Sequence, residues 1–123
     1  MLSIIIPVLN ESYNLPQLLN HLVLKATAKE QLELVIVDGG SEDNTLELAH
    51  KFKRDNLVSV HIVNSCRGRA KQMNTGAGVA TGDVLYFLHA DSFPPANYDM
   101  LIQDEVLKGN LAGCFRMKFD NEH

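Results

Sequence analysis

Two apolar runs in this chain lead into a carboxylate. Val84-Leu85-Tyr86-Phe87-Leu88 passes through His89-Ala90 to Asp91, and Leu32-Glu33-Leu34-Val35-Ile36-Val37 ends directly on Asp38. An acid just past the carboxyl end of a strand is where an open α/β sheet binds ligands, and it can hold a divalent cation or a sugar hydroxyl there. It can equally serve as a turn residue, Asp91 ahead of Pro94 or Asp38 beneath the Gly39-Gly40 amides. Asn10 and Glu11 follow a third β-branched run, either as ligand contacts or as solvated turn residues. Arg67, Arg69 and Lys71 cluster where a helix begins. Cations are disfavoured at a helix amino terminus unless an anion is close, so this cluster favours a phosphate over a merely solvated helix start.

These groups need a scaffold that brings strand ends together. Leu2 to Val8 is short and β-branched, with Pro7 at its end, and reads as a first strand. Leu15, Leu18, Leu19 and Leu22 fall at helical spacing, which predicts a helix capped by Asn14, carrying Pro16 in its first turn and running to about Lys29. Leu32 to Asp38 is the second strand. Gly39-Gly40-Ser41-Glu42-Asp43-Asn44 supplies a tight turn and cap, and Leu46, Ala49 and either His50 or Phe52 give the next helix its apolar side. Val58 to Val63 is the third strand. A helix over about 68–80 follows, whose apolar positions Ala70, Met73, Ala77 and Ala80 are small enough for close approach to a sheet or ligand.

Val84 to Leu88 reads as a strand buried on both faces, and Tyr98, Leu101, Ile102 and Val106 mark a helix stopped by Gly109. Leu111, Gly113, Phe115, Met117 and Phe119 alternate with Ala112, Cys114, Arg116 and Lys118, the pattern of a half-buried fifth strand. Strands alternating with helices predict an α/β, Rossmann-like fold, a mostly parallel sheet with helices on both faces. The 123 residues support one domain with one core.

A net charge of -4 argues against a general nucleic-acid or anionic-membrane binder. Cys66 and Cys114 lack paired-ligand spacing and read as reduced, mostly buried thiols, which makes a cytosolic compartment the expectation. No apolar run reaches transmembrane length. Val8-Leu9-Asn10-Glu11-Ser12 carries neither a dinucleotide-binding glycine fingerprint nor a phosphate-loop lysine, and Pro7 stands where a phosphoaspartate receiver would place an acid. No Ser-His-Asp set or metal-spaced histidine pair appears, and His21, His50, His61 and His123 are given no role.

Four stretches, in order, resemble the amino-terminal half of the family 2 glycosyltransferases, which have the GT-A fold. They are Ser3-Ile4-Ile5-Ile6-Pro7-Val8-Leu9-Asn10-Glu11, Val35-Ile36-Val37-Asp38-Gly39-Gly40-Ser41-Glu42-Asp43-Asn44-Thr45, Arg67-Gly68-Arg69-Ala70-Lys71-Gln72-Met73-Asn74 and Phe87-Leu88-His89-Ala90-Asp91. The resemblance implies a nucleotide-sugar donor, often a UDP-sugar, with Mg²⁺ or Mn²⁺. Pro7, Leu9 and Glu11 match positions lining the base and ribose pocket, Asp38 the acid that accepts from the base, and Arg69 the basic residue reaching the base or diphosphate. Asp91 matches the metal-ligating final acid of the family's acid-x-acid motif.

This chain departs from the motif at its first acid, which is His89. A neutral imidazole hydrogen-bonds a ribose hydroxyl or phosphate but is a poor Mg²⁺ ligand, so His89 is expected to contact donor while Asp91 and the diphosphate hold the metal. The resemblance also implies a catalytic base and acceptor site, for a sugar or lipid-linked acceptor, beyond His123. Asp104, Glu105, Asp120 and Glu122 do not match the base's context. The expectation is thus a donor-binding half, truncated after its fifth strand. Such a piece could bind without transferring, self-associate through an apolar surface near Phe115, Met117 and Phe119, and lie free in the cytosol or peripheral to a membrane. Two rival classes are a non-catalytic nucleotide-binding module and a nucleotidyltransferase; the latter would open its first loop with glycines and basic residues, unlike Leu9-Asn10-Glu11-Ser12.

Overall fold

The computed structural model describes residues 1–109. Four strands, β1 (Leu2–Val8), β2 (Leu32–Asp38), β3 (Ser59–Asn64) and β4 (Val84–Phe87), form one parallel sheet in the order β3-β2-β1-β4. The helices α1 (Asn14–Lys25), α2 (Thr45–Asp55), α3 (Arg69–Val79) and α4 (Tyr98–Leu107) alternate with them. Every strand runs the same way, so all four carboxyl ends, and every candidate site residue that follows one, lie along a single edge.

Alternation along β1 divides the core in two. Leu2, Ile4, Ile6 and Val8 join the larger cluster with Leu15, Leu18, Leu19 and Leu22 of α1, Ala49 and Phe52 of α2, and Tyr98 and Ile102 of α4. Ile5 points the other way, with Val35 and Val37, toward the side that α3 covers. Pro7 suits its place. Ile5 accepts from the Leu88 amide on the β4 side and Val8 from the Gly39 amide on the β2 side, so position 7 faces β4, whose pairing stops at Ile5↔Phe87.

Several local expectations are corrected. β4 is fully buried on one face only, with Val84 and Tyr86 inside and Leu85 and Phe87 half-exposed. Tyr13 holds the amino-terminal cap position of α1, while the Asn14 side chain donates to the Glu11 carboxylate at 3.2 Å; the helix stops at Lys25, before a short 3-10 turn at Lys29–Gln31. β3 begins at Ser59 rather than Val58. In α4 Asp99 is buried and Leu101 exposed, since Asp99 accepts the Thr27 and Ala28 amides at 2.8 to 3.0 Å. Cys66 is exposed rather than buried. Gly109 does end α4, at φ 86° with its amide on the Val106 carbonyl. The predicted fifth strand, Cys114 and the apolar face at Phe115, Met117 and Phe119 lie outside the described residues, as do Asp120, Glu122 and His123.

The inward face of α3 is the most informative correction. Gln72 and Gly76 are buried, whereas Ala70 is exposed and Met73, Ala77 and Ala80 are half-buried. A Cβ on Gly76 would stand 2.5 Å from Ile5 Cγ2 and 2.9 Å from Val37 Cγ2. The close approach expected of this helix is therefore real, but it is made by a glycine and a glutamine.

Candidate functional site at the mouth of the sheet

The loops after β1 and β2 are stitched together. Asn10 adopts a left-handed backbone, φ 55°, which an Asn tolerates better than most residues. Its amide donates to Ser41 Oγ at 2.8 Å, and its Oδ1 accepts the Glu42 amide at 2.7 Å. The Glu11 amide donates to Thr45 Oγ1 at 2.9 Å, and Asp43 accepts from the Ser12 amide and from both the amide and hydroxyl of Thr45. The Thr45 hydroxyl, opposed by slight desolvation, holds the Asp43 carboxyl below the usual range.

Asp38 is 2% exposed, and its carboxylate accepts from the Gly40 and Ser41 amides at 3.0 Å each and from Ser41 Oγ at 2.5 Å. Gly40, at φ 102°, makes that turn possible. Asp38 thus organises its own turn, and as a carboxylate with two oxygens it retains acceptor capacity. Pro7 and Leu9 flank the same mouth, Pro7 in register with Val37 and Leu9 half-buried just past β1.

Gln72 links the amino end of α3 to this edge. Its Nε2 donates to the carbonyls of Val8 at 3.0 Å and Val37 at 2.9 Å, and its Oε1 accepts the Gly68 amide at 3.3 Å. A Cβ on Gly39 would lie 2.8 Å from the Gln72 amide group, so a glycine there makes room for it. The sequence motifs give Gln72 no role of its own and leave Asn10 as either a ligand contact or a turn residue; in the structure both are pins between loops. The one available signal was a polar residue on a helix face otherwise made of small residues.

Arg69, the first residue of α3, reaches His89 after β4, with Nη2 3.2 Å from Nδ1. A guanidinium only donates, so His89 accepts at Nδ1 and its remaining ring proton sits on Nε2. With Nδ1 engaged by Arg69 and Nε2 protonated and buried, this tautomer leaves no ring lone pair for a metal. Asp91 stands exposed in a turn closed by the Ser92 amide on the His89 carbonyl at 3.1 Å.

The structure therefore couples Arg69 with His89 directly, the ends of β1 and β2 at Val8 and Val37 with the α3 amino end through Gln72, and Glu11 with the start of α2 through Thr45. Asp91 shares the His89 turn. Among the described residues no three His, Cys, Asp or Glu side chains gather as a metal cage. A single exposed carboxylate is nonetheless a fitting donor set for Mg²⁺ or Mn²⁺, which bind through one or two carboxylates with substrate phosphates and water completing the shell.

The chain matches the family model for Glycosyl transferase family 2 over residues 3–122. It is 37% identical over 94 residues to glycosyltransferase AglE of Haloferax volcanii, an alignment covering 75% of this chain and 31% of that protein. In structure it is similar to Staphylococcus aureus TarS 1–349, with a TM-score of 0.71, 27% identity and coverage of 85% of this chain and 31% of that one. TarS 1–349 has also been solved in complex with UDP-GlcNAc. The mannosyltransferase PcManGT of Pyrobaculum calidifontis, in complex with GDP-Man and Mn²⁺, has the same fold, with a TM-score of 0.72, 24% identity and coverage of 80% of this chain and 30% of that one. The chain spans about a third of the length of these relatives. No described helix is long and apolar enough to cross a membrane. With its parallel α/β sheet and its motifs along one edge, the chain belongs to glycosyl transferase family 2 and has the GT-A fold.

Proposed function

We propose that this chain is the donor-binding part of a glycosyltransferase, and that it holds a nucleoside-diphosphate sugar across the carboxyl edge of the sheet. The observation that carries the reading is the Arg69–His89 pair at the start of α3, beside the turn that bears Asp91. A guanidinium and the amide-rich opening of a helix are donors suited to a diphosphate, and the neighbouring carboxylate is suited to the cation that accompanies it. Glu11, Pro7 and Leu9 would line the base and ribose pocket, Asp38 would accept from the base, Arg69 would reach the base or diphosphate, His89 would contact a ribose hydroxyl or phosphate, and Asp91 would ligate Mg²⁺ or Mn²⁺. Such a cation supplies charge neutralisation on the diphosphate as it leaves.

The names of the relatives support a UDP- or GDP-sugar. Transfer to a sugar or lipid-linked acceptor, and the base that assists it, would belong to sequence beyond the donor half, in a cytosolic or membrane-peripheral enzyme. Isothermal calorimetry with UDP and GDP, with and without MnCl₂, tests the reading. Binding of one nucleotide should tighten with Mn²⁺, and D91A should remove that metal-dependent part while leaving metal-free binding. No binding of either nucleotide in any condition overturns it.

A further inference from the structure

The loop carrying His89 and Asp91 is attached at both ends. At its start the Leu88 amide donates to the Ile5 carbonyl at 2.9 Å. At its far end the Asn97 amide donates to the Lys25 carbonyl at 2.7 Å, Thr27 Oγ1 donates to Asn97 Oδ1 at 3.0 Å, and the buried Tyr98 hydroxyl donates to the Leu22 carbonyl at 2.8 Å. All of the far-end partners belong to the carboxyl half of α1 or its exit. A further tie from α1 falls in the middle of the loop, where His21 Nε2 donates to the Pro94 carbonyl at 2.5 Å. The His21 ring also meets Phe93 edge-on, with centroids 5.3 Å apart and planes at 89°.

We propose that His21 is a positioning residue, holding the Asp91 turn at the height where its carboxylate meets a metal-bound diphosphate; this rests on the donor-binding reading above. Nothing in the sequence motifs assigns His21 a part. Its base is rigid, because Leu18, Leu19 and Leu22 beside it on α1 are fully buried. What it grips is stiff as well. Pro94 and Pro95 have fixed φ, and each restricts the residue before it, so Phe93-Pro94-Pro95 is held extended. A shift at Pro94 is then carried by a stiff segment as far as Phe93, two residues from Asp91. The local backbone offers Asp91 less: it is exposed, in a turn closed by the Ser92–His89 backbone hydrogen bond.

The test is calorimetry on H21A and H21Q with whichever of UDP and GDP the chain takes, with and without MnCl₂, alongside a urea midpoint for each variant. H21A should weaken the Mn²⁺-dependent part of nucleotide binding by about 10- to 100-fold, the usual effect of losing a group that orients a metal ligand, while metal-free affinity stays within about two-fold. H21Q, whose amide can donate to the same carbonyl, should recover most of the loss and serves if H21A does not fold. Equal weakening with and without Mn²⁺, or no change at all, overturns the proposal while leaving donor binding intact. If the unmodified chain binds no nucleotide, the donor-binding reading falls, and the role of His21 with it.

Discussion

Gly76 and Gly78 sit two positions apart in α3 and make opposite predictions from one geometry. At Gly76 an added Cβ meets Ile5 Cγ2 at 2.5 Å and Val37 Cγ2 at 2.9 Å, and both partners are completely buried side chains that cannot swing away. At Gly78 it meets nothing within 4 Å. Replacing glycine with alanine favours a helix by about 1 kcal/mol at an interior position, and somewhat less toward the end where Gly78 lies. Overpacking a filled core costs about 1–3 kcal/mol. The helix term is nearly common to both variants, so the difference between G78A and G76A isolates the steric term at about 1–3 kcal/mol. G78A should be at least as stable as the unmodified chain, and G76A less stable than G78A by roughly 4 °C or more in Tm. Urea unfolding followed by circular dichroism measures both. If the two variants are equally stable, α3 does not lie as close to β1 and β2 as described, and the placement of Arg69 at the sheet mouth loses its support.

Two further predictions concern polar groups. Burial raises the Glu33 carboxyl, but hydrogen bonds from Ser3 and from the Thr81 amide and hydroxyl, with the charge of His61, outweigh it and lower the group to about 2. A folded value below the unfolded 4.5 means stabilisation present above pH 4.5 and lost as the pH falls toward 2, on the order of 3 kcal/mol in full. E33Q should flatten the stability profile across that window, and an unchanged acid profile would contradict the arrangement. At Asn10, N10G keeps the left-handed backbone but loses the bond to the Glu42 amide, whereas N10A loses the bond and adds backbone strain of about 1 kcal/mol. Urea midpoints should fall in the order native, N10G, N10A; N10A at or above N10G would refute the strain.

The parallel sheet was legible because the signal that marks it is local. Leu32 to Asp38 is apolar at nearly every position and bounded by turn residues, and β2 forms over that same range. The mouth was legible for the same reason, since Glu11, Asp38 and His89-Ala90-Asp91 each follow a strand-like run and parallel strands place those ends together. What stayed hidden depends on contacts between distant segments. Glu33 reads as an interruption of a strand, yet it is 2% exposed and satisfied by Ser3, His61 and Thr81, 28 to 48 positions away. The inward face of α3 was misread because hydrophobic periodicity assumes that burial selects apolar bulk. Here the sheet is so near that bulk is excluded at Gly76, and the two strand-end carbonyls select Gln72.

The most direct measurement is anomalous diffraction from crystals of the chain grown with MnCl₂ and whichever of UDP and GDP binds. The account predicts a manganese peak within direct coordination distance of an Asp91 carboxylate oxygen, with the diphosphate against Arg69 and His89 and the base between the loops after β1 and β2. A nucleotide bound on another face, or manganese held away from Asp91 with the nucleotide in place, would contradict it.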